Sequence, residues 1–386
     1  MKKVLKLGFI GGGINSAVGA THFIASQMDE RFQVEAGCFS RHQAINIETA
    51  ERWHIAPERR YDDFQQLLQQ EKDRLDAVVV LTPTPEHVEP VIQALKMGYP
   101  VICEKALASS SNHAKLIKKV QQEQQGFLTV TYNYTGYPML RELRNMIHKG
   151  KLGKIEQIHI EMPQEGFARV NKEGQPIIPQ QWRLVDAQLP TIYLDLGVHV
   201  HNIIDFLTGE KPLEVVATQS SFGRFHQIID NSICLAHYTN NLQCNIWFSK
   251  SALGYRNGLR VRVFGEIGAI EWHQMDSEFL IYNDNKGHKI TIDRANVDVE
   301  VANQPRYNRF KAGHPAGFIE AFANLYWDIG ESLDVYKETG LQAPSNHIFT
   351  VSDAWEGLVM LEKLSESSKS KSWKSLSFSE EKNLTL

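Results

Sequence analysis

The sequence predicts an α/β protein built from a doubly wound parallel sheet and a second, α+β part with a large, mainly antiparallel sheet. In the first third, short apolar runs alternate with helical segments of about ten residues, which indicates parallel βαβ units. The glycines Gly11 to Gly13 separate the first apolar run from the first helix. After Tyr132 the alternation stops, and short strand candidates follow one another. We therefore expect one domain over residues 1–132 and another over 133–386.

The strands of the first part are apolar enough to be covered on both faces. The clearest are residues 4–10 and 76–81, and Pro83 and Pro85 prevent the latter from continuing. We expect the other elements of this part at 17–27 (helix), 34–39 (strand), 46–54 (helix), 88–97 (helix), 100–103 (strand), 112–122 (helix) and 127–132 (strand). Ligands of such a sheet bind beyond the carboxyl ends of its strands.

The second part has more strands than helices. We expect strands at 154–162, 215–221, 232–238, 242–248, 259–264, 269–272, 279–282 and 288–292. We expect helices at 136–149, 193–209, 315–326 and 350–365. Because turns join several consecutive strands, an antiparallel sheet is favoured. A loop rich in Gln, Pro and Gly covers 163–190, and the Lys- and Ser-rich stretch 365–375 is expected to be an exposed connector.

Composition and charge exclude several classes of protein. The 386 residues are 42% apolar and 22% charged, as in ordinary globular proteins, and the formal net charge of −4 argues against a general nucleic-acid binder. No run approaches the roughly 20 apolar residues of a membrane span. Glycines interrupt the apolar run near the N-terminus, which favours a strand over a signal peptide. The four cysteines form no CxxC pair, which favours reduced thiols in a cytoplasmic enzyme.

The glycine loop has the pattern of a dinucleotide-binding turn. Gly11 permits a tight turn, and Gly13 would let the backbone approach a pyrophosphate. Ser16 stands at the third position of the pattern and is small enough for helix–strand packing. Ile14 and Asn15 complete the loop at the start of a helix, where backbone amides can bind phosphate. A glycine-rich turn without a ligand is the alternative.

The end of the second strand indicates which dinucleotide is bound. A carboxylate here would accept hydrogen bonds from the ribose hydroxyls and repel a 2′-phosphate. The sequence has Ser40 and Arg41 instead, and a hydroxyl beside a guanidinium suits the extra phosphate. NADP is therefore favoured over NAD. The alternative for Arg41 is a solvated surface side chain.

Several motifs together resemble the Gfo/Idh/MocA family, the glucose–fructose oxidoreductase and inositol dehydrogenase group. They are GFIGGGINS, VVVLTPTPEH, CEKA and LDLGVH, and the similarity covers nearly the whole chain. WR, RVFGEIGAIEW and GHPAGFIEAFANLY are similar to a sugar-oxidising branch that includes levoglucosan dehydrogenase-like enzymes. The family's Glu-Lys-Pro signature appears here as Glu104-Lys105-Ala106. Leu189-Pro190-Thr191 stands where many members carry glycines, so the wall on the substrate side is expected to differ.

The resemblance implies a Rossmann domain followed by an α/β domain whose open sheet often forms the oligomer contact, hence a homodimer or homotetramer. It also implies an NAD(P)-dependent oxidoreductase that moves a hydride between a nicotinamide and a secondary hydroxyl or ketone of a sugar, inositol or sugar derivative. Lys105 would bind the substrate oxygen and lower the pKa of a neighbouring imidazole. Glu104 would bind the cofactor ribose. The structural alternative for Lys105 is a surface lysine after a strand.

The apolar segment 193–209 carries two carboxylates and two imidazoles. Asp195 and His199 are spaced i, i+4 and share a helix face, while His201 pairs with Asp205 by the same spacing. The spacing alone leaves both pairs open. The family pattern Asp-x-Gly-x-His selects Asp195, Gly197 and His199. His199 is then the general base and Asp195 binds a substrate hydroxyl, while Gly197 lets a ligand approach the helix. A helix points His199 and His201 apart, so no metal site is expected.

The remaining candidates contact either substrate or cofactor. Aromatic faces can stack on a sugar ring, while Arg and His can donate to hydroxyls, and each of these side chains has a structural alternative. The substrate candidates are Tyr132, Trp182, Arg183 and His314, together with Lys105, Asp195 and His199. The cofactor candidates are Gly11, Gly13, Ile14, Asn15, Ser40, Arg41, Thr82, Pro83, His87, Glu104 and Lys105, with His87 at the edge of the nucleotide pocket.

Two other functions remain open at this point. The first is the same chemistry on a nucleotide-linked sugar during surface-polysaccharide assembly, which a basic, roomy cleft would favour. The second is a catalytically silent nucleotide-binding sensor, which the presence of Lys105, Asp195 and His199 disfavours. A redox enzyme without a pyridine nucleotide has little support, because no flavin or metal motif is evident.

Overall fold

A computed structural model describes residues 2–378, which form two compact units. The first comprises the described residues up to Asn145 together with Ser277–Phe279 and Ile292–Trp355. The second comprises Met146–Asp276, Leu280–Thr291 and the described residues from Glu356 onward. The chain thus leaves the first unit and returns to it, whereas the sequence predicted a single boundary after residue 132. That boundary stays a prediction.

The first unit contains the predicted parallel sheet. Its strands are β1 (Leu5–Gly11), β2 (Phe32–Cys38), β3 (Ala77–Leu81), β4 (Val101–Glu104) and β5 (Leu128–Thr131). They lie in the order β2-β1-β3-β4-β5. Because β1 pairs in parallel with both β2 and β3, the winding reverses beside β1. A ligand crevice opens at the carboxyl ends of the strands at such a point, and the predicted doubly wound class is confirmed.

Helices connect these strands and continue through the rest of the chain. They are α1 (Gly19–Gln27), α2 (Gln43–Arg52), α3 (Phe64–Gln70), α4 (Val88–Lys96), α5 (Ser111–Gln124), α6 (Pro138–His148), α7 (Val198–Thr208), α8 (Phe318–Thr339) and α9 (Val351–Ser370). Helix α3 was not predicted from the sequence, because it is too short to show a period. No helix within residues 2–378 has the length and apolarity needed to cross a membrane.

Helix α8 completes the hydrophobic core of the first unit, although its sequence lies far from the sheet. Its side chains Phe322, Tyr326 and Ile329 belong to the same buried cluster as Leu7 and Phe9 of β1. The helix is longer than the predicted 315–326, because apolar positions recur every three to four residues as far as Leu333. It ends at Gly340, which adopts the left-handed conformation with φ of 72°.

The second unit is built on the predicted, mostly antiparallel sheet. Its strands are β6 (Ile155–Pro163), β7 (Pro212–Ser220), β8 (Asn231–Tyr238), β9 (Gln243–Ser249), β10 (Arg260–Gly265), β11 (Gly268–His273), β12 (Leu280–Asp284), β13 (Lys289–Ile292) and β14 (Lys374–Ser375). Within the described residues their order is β13-β12-β11-β10-β6-β9-β8-β7-β14. The neighbours β7–β8–β9 and β10–β11–β12 are antiparallel, and β6 pairs in parallel with β9.

The stretch 365–375, predicted to be an exposed connector, is exposed over residues 369–373, but the prediction that it lacks regular structure was wrong. Helix α9 runs to Ser370, and β14 then pairs antiparallel with the edge strand β7. Ser367 is fully buried, and its hydroxyl accepts a hydrogen bond from the Ala217 amide at 3.0 Å. The sequence did not predict the end of α9 or strand β14, because the Lys- and Ser-rich stretch has no apolar period.

Candidate active site

In the first unit, the predicted cofactor residues follow the carboxyl ends of four neighbouring strands. Gly11 ends β1, Ser40 and Arg41 follow β2, Thr82 and Pro83 follow β3, and Glu104 and Lys105 end or follow β4. Parallel strands present their carboxyl ends at one edge of the sheet. The fold therefore brings these residues to the same edge, on both sides of the point where the winding reverses.

The first turn of the glycine loop can be made only by glycine. Gly11 and Gly12 adopt φ of 82° and 75°, and a Cβ on Gly11 would lie 2.8 Å from the backbone of Leu81 and Thr82. Gly13 has an ordinary φ, and a Cβ on it would lie 3.1 Å from the Phe39 carbonyl oxygen. The absence of a side chain at Gly13 thus makes room for the backbone of Phe39. The sequence analysis had expected it to make room for a pyrophosphate.

The close approach of helix to strand is made by Gly19, which the sequence motif did not identify. Helix α1 begins at this glycine, and a Cβ there would lie 1.8 Å from the Gly12 carbonyl oxygen. Ser16, expected to make the approach, instead accepts hydrogen bonds from the amides of Val18 at 3.3 Å and Gly19 at 3.2 Å. The sequence does contain a sign of this contact, because Gly19 is a second small residue, three positions after Ser16, at the start of α1.

The candidate phosphate-reading side chains lie at the surface. The Arg41 side chain is 79% exposed, and its Nη1 lies 3.6 Å from Oε1 of Glu86. The Ser40 hydroxyl accepts a hydrogen bond from the His42 amide at 3.1 Å. An exposed ion pair of this kind contributes little to stability, so the guanidinium can exchange Glu86 for another anion at small cost.

Glu104 is a buried carboxylate held by two neighbours. It is 6% exposed, its Oε1 accepts from the Thr131 hydroxyl at 2.6 Å, and the same oxygen lies 3.3 Å from Nε2 of His22. Nδ1 of His22 lies 2.8 Å from the Tyr326 hydroxyl. Burial alone would raise the pKa of Glu104, but the His22 contact, the charge of Lys105 and the Thr131 hydrogen bond outweigh it and leave that pKa below its usual value. The ribose contact stays a prediction.

His87 lies behind the strand ends and is buried. Its Nε2 lies 2.7 Å from the Thr82 carbonyl oxygen, and its Nδ1 lies 2.8 Å from the Ala106 carbonyl oxygen. Burial lowers the pKa of the ring more than the carbonyl contacts raise it. Both ring nitrogens thus contact the protein backbone, and a contact of His87 with the nucleotide stays a prediction.

Two substrate candidates of the first unit lie in different surroundings. Tyr132 is buried, its ring meets Phe349 edge to face at 5.5 Å, and burial raises the pKa of its hydroxyl. His314 is exposed in a loop, with its ring edge-on to Phe310 at 4.6 Å. Tyr132 thus packs as a core residue does, and His314 is accessible.

In the second unit, Asp195 lies in a π-helical turn. The turn covers Tyr193–Gly197, where the Val198 amide donates to the Tyr193 carbonyl, and it continues directly into α7. Such turns occur frequently at functional sites. The i, i+4 argument for Asp195 and His199 assumed an α-helix throughout, so it does not describe this wider turn. Both side chains are buried.

The Asp195 carboxylate is held by two cations. Nη1 of Arg183 lies 2.5 Å and Nζ of Lys250 lies 2.6 Å from the same oxygen, Oδ2. Lys250 also donates to Oε1 of Gln164 at 2.7 Å, and the Arg183 guanidinium lies 4.5 Å from the centre of the Trp182 ring. The structure thus brings together three predicted residues, Trp182, Arg183 and Asp195. Lys250 was missed, since no spacing in the sequence connects it with this segment.

Gly197 serves packing within the second unit. A Cβ at this position would lie 2.9 Å from Cδ2 of Leu361 in α9 and 3.3 Å from Cζ of Phe248 in β9. The expectation that its missing side chain admits a ligand was wrong, because these two side chains already fill the space.

His201 and Asp205 belong to a separate charged cluster. Nε2 of His201 lies 3.6 Å from Oε1 of Glu356, while Nζ of Lys211 lies 2.9 Å from Asp205 and 3.0 Å from Glu356. Burial would raise the pKa of Glu356, but His201 and Lys211 together bring it below its usual value. His201 is thus a packed residue of an ion network, and the assignment of Asp195 and His199 as the functional pair stays a prediction.

Comparison with known proteins decides the family. Residues 5–132 match the oxidoreductase family with an NAD-binding Rossmann fold, and residues 140–271 match the GFO/IDH/MocA C-terminal domain. A solved oxidoreductase from Sinorhizobium meliloti is 30% identical, with a TM-score of 0.83 over 97% of this chain and 100% of that one. The chain belongs to the Gfo/Idh/MocA family of oxidoreductases.

Other Gfo/Idh/MocA relatives match along the whole chain. The oxidoreductase YfiI of Bacillus subtilis is 28% identical over 373 residues, 94% of each chain. An inositol dehydrogenase homologue from Azotobacter vinelandii, solved with NADH and myo-inositol, is 24% identical with a TM-score of 0.87 over 97% and 98% of the two chains. A levoglucosan dehydrogenase solved with NADH and levoglucosan is 18% identical with a TM-score of 0.80 over 97% and 99%. The last two show a shared fold, and the sugar-oxidising branch stays a prediction.

As a Gfo/Idh/MocA member, this chain is an oxidoreductase with an NAD-binding Rossmann fold. Its version of the family's Glu-Lys-Pro signature places Lys105, half-buried, directly after β4. Its version of the Asp-x-Gly-x-His pattern spans the π-helical turn and the start of α7. In the part of the chain that the structure describes, no group of three or more His, Cys, Asp or Glu side chains is arranged to hold a metal ion.

Proposed function

We propose that this enzyme is an NAD(P)-dependent dehydrogenase that acts on a secondary hydroxyl, or the corresponding ketone, of a sugar, inositol or related polyol. One observation carries the proposal: Lys105 follows β4 at the sheet edge where the glycine loop also lies. The myo-inositol and levoglucosan named for the two solved Gfo/Idh/MocA structures support this substrate class.

The first unit fits a dinucleotide. Gly11 and Gly12 form a turn that no larger residue could make, and four strand ends share one edge beside it. The residues proposed to hold the cofactor are Gly11, Gly13, Ile14, Asn15, Ser40, Arg41, Thr82, Pro83, His87, Glu104 and Lys105. When bound, a nicotinamide supplies the hydride acceptor or donor. Lys105 holds the substrate oxygen as negative charge develops on it, and its ammonium stabilises that charge.

The second unit supplies the proton acceptor and the substrate anchor. His199 takes the hydroxyl proton, because imidazole is the side chain most often used as a general base in catalysis. Asp195 accepts a hydrogen bond from a substrate hydroxyl, and its ion pairs with Arg183 and Lys250 keep the carboxylate in place. Tyr132, Trp182, Arg183 and His314 are proposed as further substrate contacts.

The test is a spectrophotometric screen. Purified protein is mixed with NAD or NADP and a panel of aldoses, inositols and anhydro-sugars, and absorbance at the reduced-nicotinamide band is followed. Turnover of at least one polyol or sugar is expected. Absence of turnover across the panel in both directions, with NADH and NADPH for the ketones, would remove the dehydrogenase assignment.

We also propose that Arg41 biases the site towards NADP. Its ion pair with Glu86 is exposed to solvent, so a 2′-phosphate can replace that carboxylate. Arg41→Ala should then raise the dissociation constant of NADPH about tenfold and leave that of NADH nearly unchanged. Arg52→Ala, an exposed arginine of α2, is the matched control. Equal losses for the two nucleotides would show that Arg41 does not read the phosphate.

The open sheet of the second unit is proposed to bind a second copy of the chain, giving a homodimer or homotetramer. In β8, Ile233 and Leu235 are 51% and 46% exposed, whereas their neighbours Cys234 and Ala236 are buried. An apolar row on one face of a strand is typical of an interface. Ile233→Lys combined with Leu235→Lys should lower the molar mass measured by light scattering; an unchanged mass would place the contact elsewhere.

A cytoplasmic location is proposed on the basis of the thiols. Within the described residues the cysteines are unpaired, and Cys103, Cys234 and Cys244 are buried. Burial raises the pKa of each of these three thiols, which keeps them protonated and unreactive. Such cysteines suit a reducing compartment. Fractionation of cells that produce the protein tests the location.

A further inference from the structure

The segment that carries Lys105 is fixed on both sides by buried side chains. Before it, the Glu104 carboxylate contacts His22 and the Thr131 hydroxyl. After it, the Ala106 carbonyl contacts Nδ1 of His87 at 2.8 Å. The contacts of Glu104 are part of the unit's core, whereas His87 lies between two strand ends of the candidate site.

His87 connects β3 with the residue that follows Lys105. Its other nitrogen, Nε2, lies 2.7 Å from the Thr82 carbonyl, directly after β3. The ring is 1% exposed, at the start of α4, so neither contact exchanges readily with water. Displacement of this ring would move the Ala106 carbonyl relative to Thr82, and Lys105 is covalently bonded to Ala106.

We infer that His87 is a positioning residue, which holds the Lys105 ammonium in place for the reaction through the Ala106 carbonyl. The inference rests on the proposed function, since that function gives Lys105 its task. A misplacement of about 1 Å at a reacting group can cost on the order of 100-fold in rate. The contact with Thr82 anchors the ring, and the contact with Ala106 transmits its position.

The two contacts can be separated by two substitutions. The side-chain amide nitrogen of Asn lies close to the position of Nδ1 in His, and that of Gln lies close to Nε2. His87→Asn therefore places an amide donor towards the Ala106 carbonyl, whereas His87→Gln places one towards the Thr82 carbonyl. Tyr99→Phe is the matched control, because it removes a buried hydrogen bond to the Leu68 carbonyl of the same unit.

In kinetics, we expect His87→Gln to lower kcat by at least tenfold, and His87→Asn to lower kcat by a clearly smaller factor. Tyr99→Phe should lower the Tm without lowering kcat. A purely structural role would instead make kcat follow the loss of Tm in all three variants. That outcome, or equal kcat values for the Asn and Gln variants, would overturn the inference.

A second readout does not depend on turnover. Lysines are reductively methylated with ¹³C-formaldehyde, and the NMR signal of Lys105 is assigned by its loss in Lys105→Arg. We expect this signal to shift in His87→Gln and to stay near its wild-type position in His87→Asn. An unchanged Lys105 signal in His87→Gln would overturn the inference. If the wild type turns over no substrate, the proposed function fails, and this measurement still decides the role of His87.

Discussion

The surroundings of Lys105 in the first unit and of Asp195 in the second differ in kind. Around Lys105, the neighbouring residues are fixed by contacts to backbone carbonyls and to a buried carboxylate. Asp195 is fixed by ion pairs with Arg183 and Lys250. The first arrangement follows from the ends of adjacent strands, whereas the second joins segments that are far apart in sequence. The surroundings of Lys105 can thus be recognised from motifs at the ends of strands. The ion pairs of Asp195 depend on the tertiary fold and have no motif in the sequence.

Removal of the Lys105 amine should have the largest effect. Lys105→Ala is expected to lower kcat by about 1,000-fold or more, equivalent to about 4 kcal/mol, because no other described cation takes its assigned place at the end of β4. Nucleotide affinity, measured by fluorescence titration, should stay within a fewfold of the wild type.

Lys119→Ala is the control for this variant, since Lys119 is an exposed lysine of α5 in the same unit. It should behave as the wild type in both assays. Retained turnover in Lys105→Ala would exclude Lys105 from the mechanism and would leave the first unit with a nucleotide-binding task alone.

The glycines of the two regions should differ in their tolerance of a methyl group. A Cβ on Gly19 meets the rigid backbone of Gly12, whereas one on Gly197 meets the mobile end of Leu361. Gly19→Ala is therefore expected to lower the free energy of unfolding by about 3 kcal/mol and Gly197→Ala by about 1 kcal/mol or less. Urea denaturation measures both.

Gly166→Ala serves as the reference, because nothing lies within 4 Å of a Cβ at that position. The variant Gly197→Ala also tests the role of Gly197. A variant Gly197→Ala with unchanged stability but a raised KM would show that a ligand approaches this glycine, contrary to its packing against Leu361 and Phe248.

Loss of one cation beside Asp195 should have a smaller effect on catalysis than loss of Lys105. Lys250→Met removes one of two cations from Asp195 and should lower kcat/KM about 10- to 100-fold, since a buried hydrogen bond to a charged group contributes about 1.5–3 kcal/mol. Most of this loss should appear in KM. Lys250→Arg should restore part of it, and Lys151→Met, at an exposed lysine of the second unit, should change nothing. If Lys250→Met leaves KM unchanged, Asp195 does not depend on this ion pair.

The sequence was sufficient to predict most of the fold. The strands of the parallel sheet were all predicted, most clearly β3, which is buried on both faces and is a continuous apolar segment. Helix α3 and strand β14 were missed, since neither is long enough to show a period. The extent of α8 was underestimated, although its apolar positions recur every three to four residues as far as Leu333. Its contact with β1, some 300 positions earlier, could not be predicted from any local pattern.

For the candidate site, motif reasoning worked where the residues end or follow parallel strands, because the carboxyl ends of such strands share one edge of the sheet. It predicted correctly that Gly11, Thr82 and Lys105 lie at this edge. It assigned the wrong reasons to Gly13 and Gly197, because the atoms that fill their space come from distant segments. It also could not find Lys250, since an ion pair between a helix and a later strand end leaves no spacing in the sequence.

The late position of α8 has a consequence for biosynthesis. Side chains of α8 and Ile348 belong to the cluster that covers β1, so that cluster cannot close until those residues have left the ribosome. At translation rates of about 5–20 residues per second, synthesis of the residues between β5 and Ile348 takes on the order of 10–40 s. Part of the apolar face of the nascent sheet is uncovered during this time. During that interval we expect a ribosome-associated chaperone to bind the uncovered apolar side chains of the sheet.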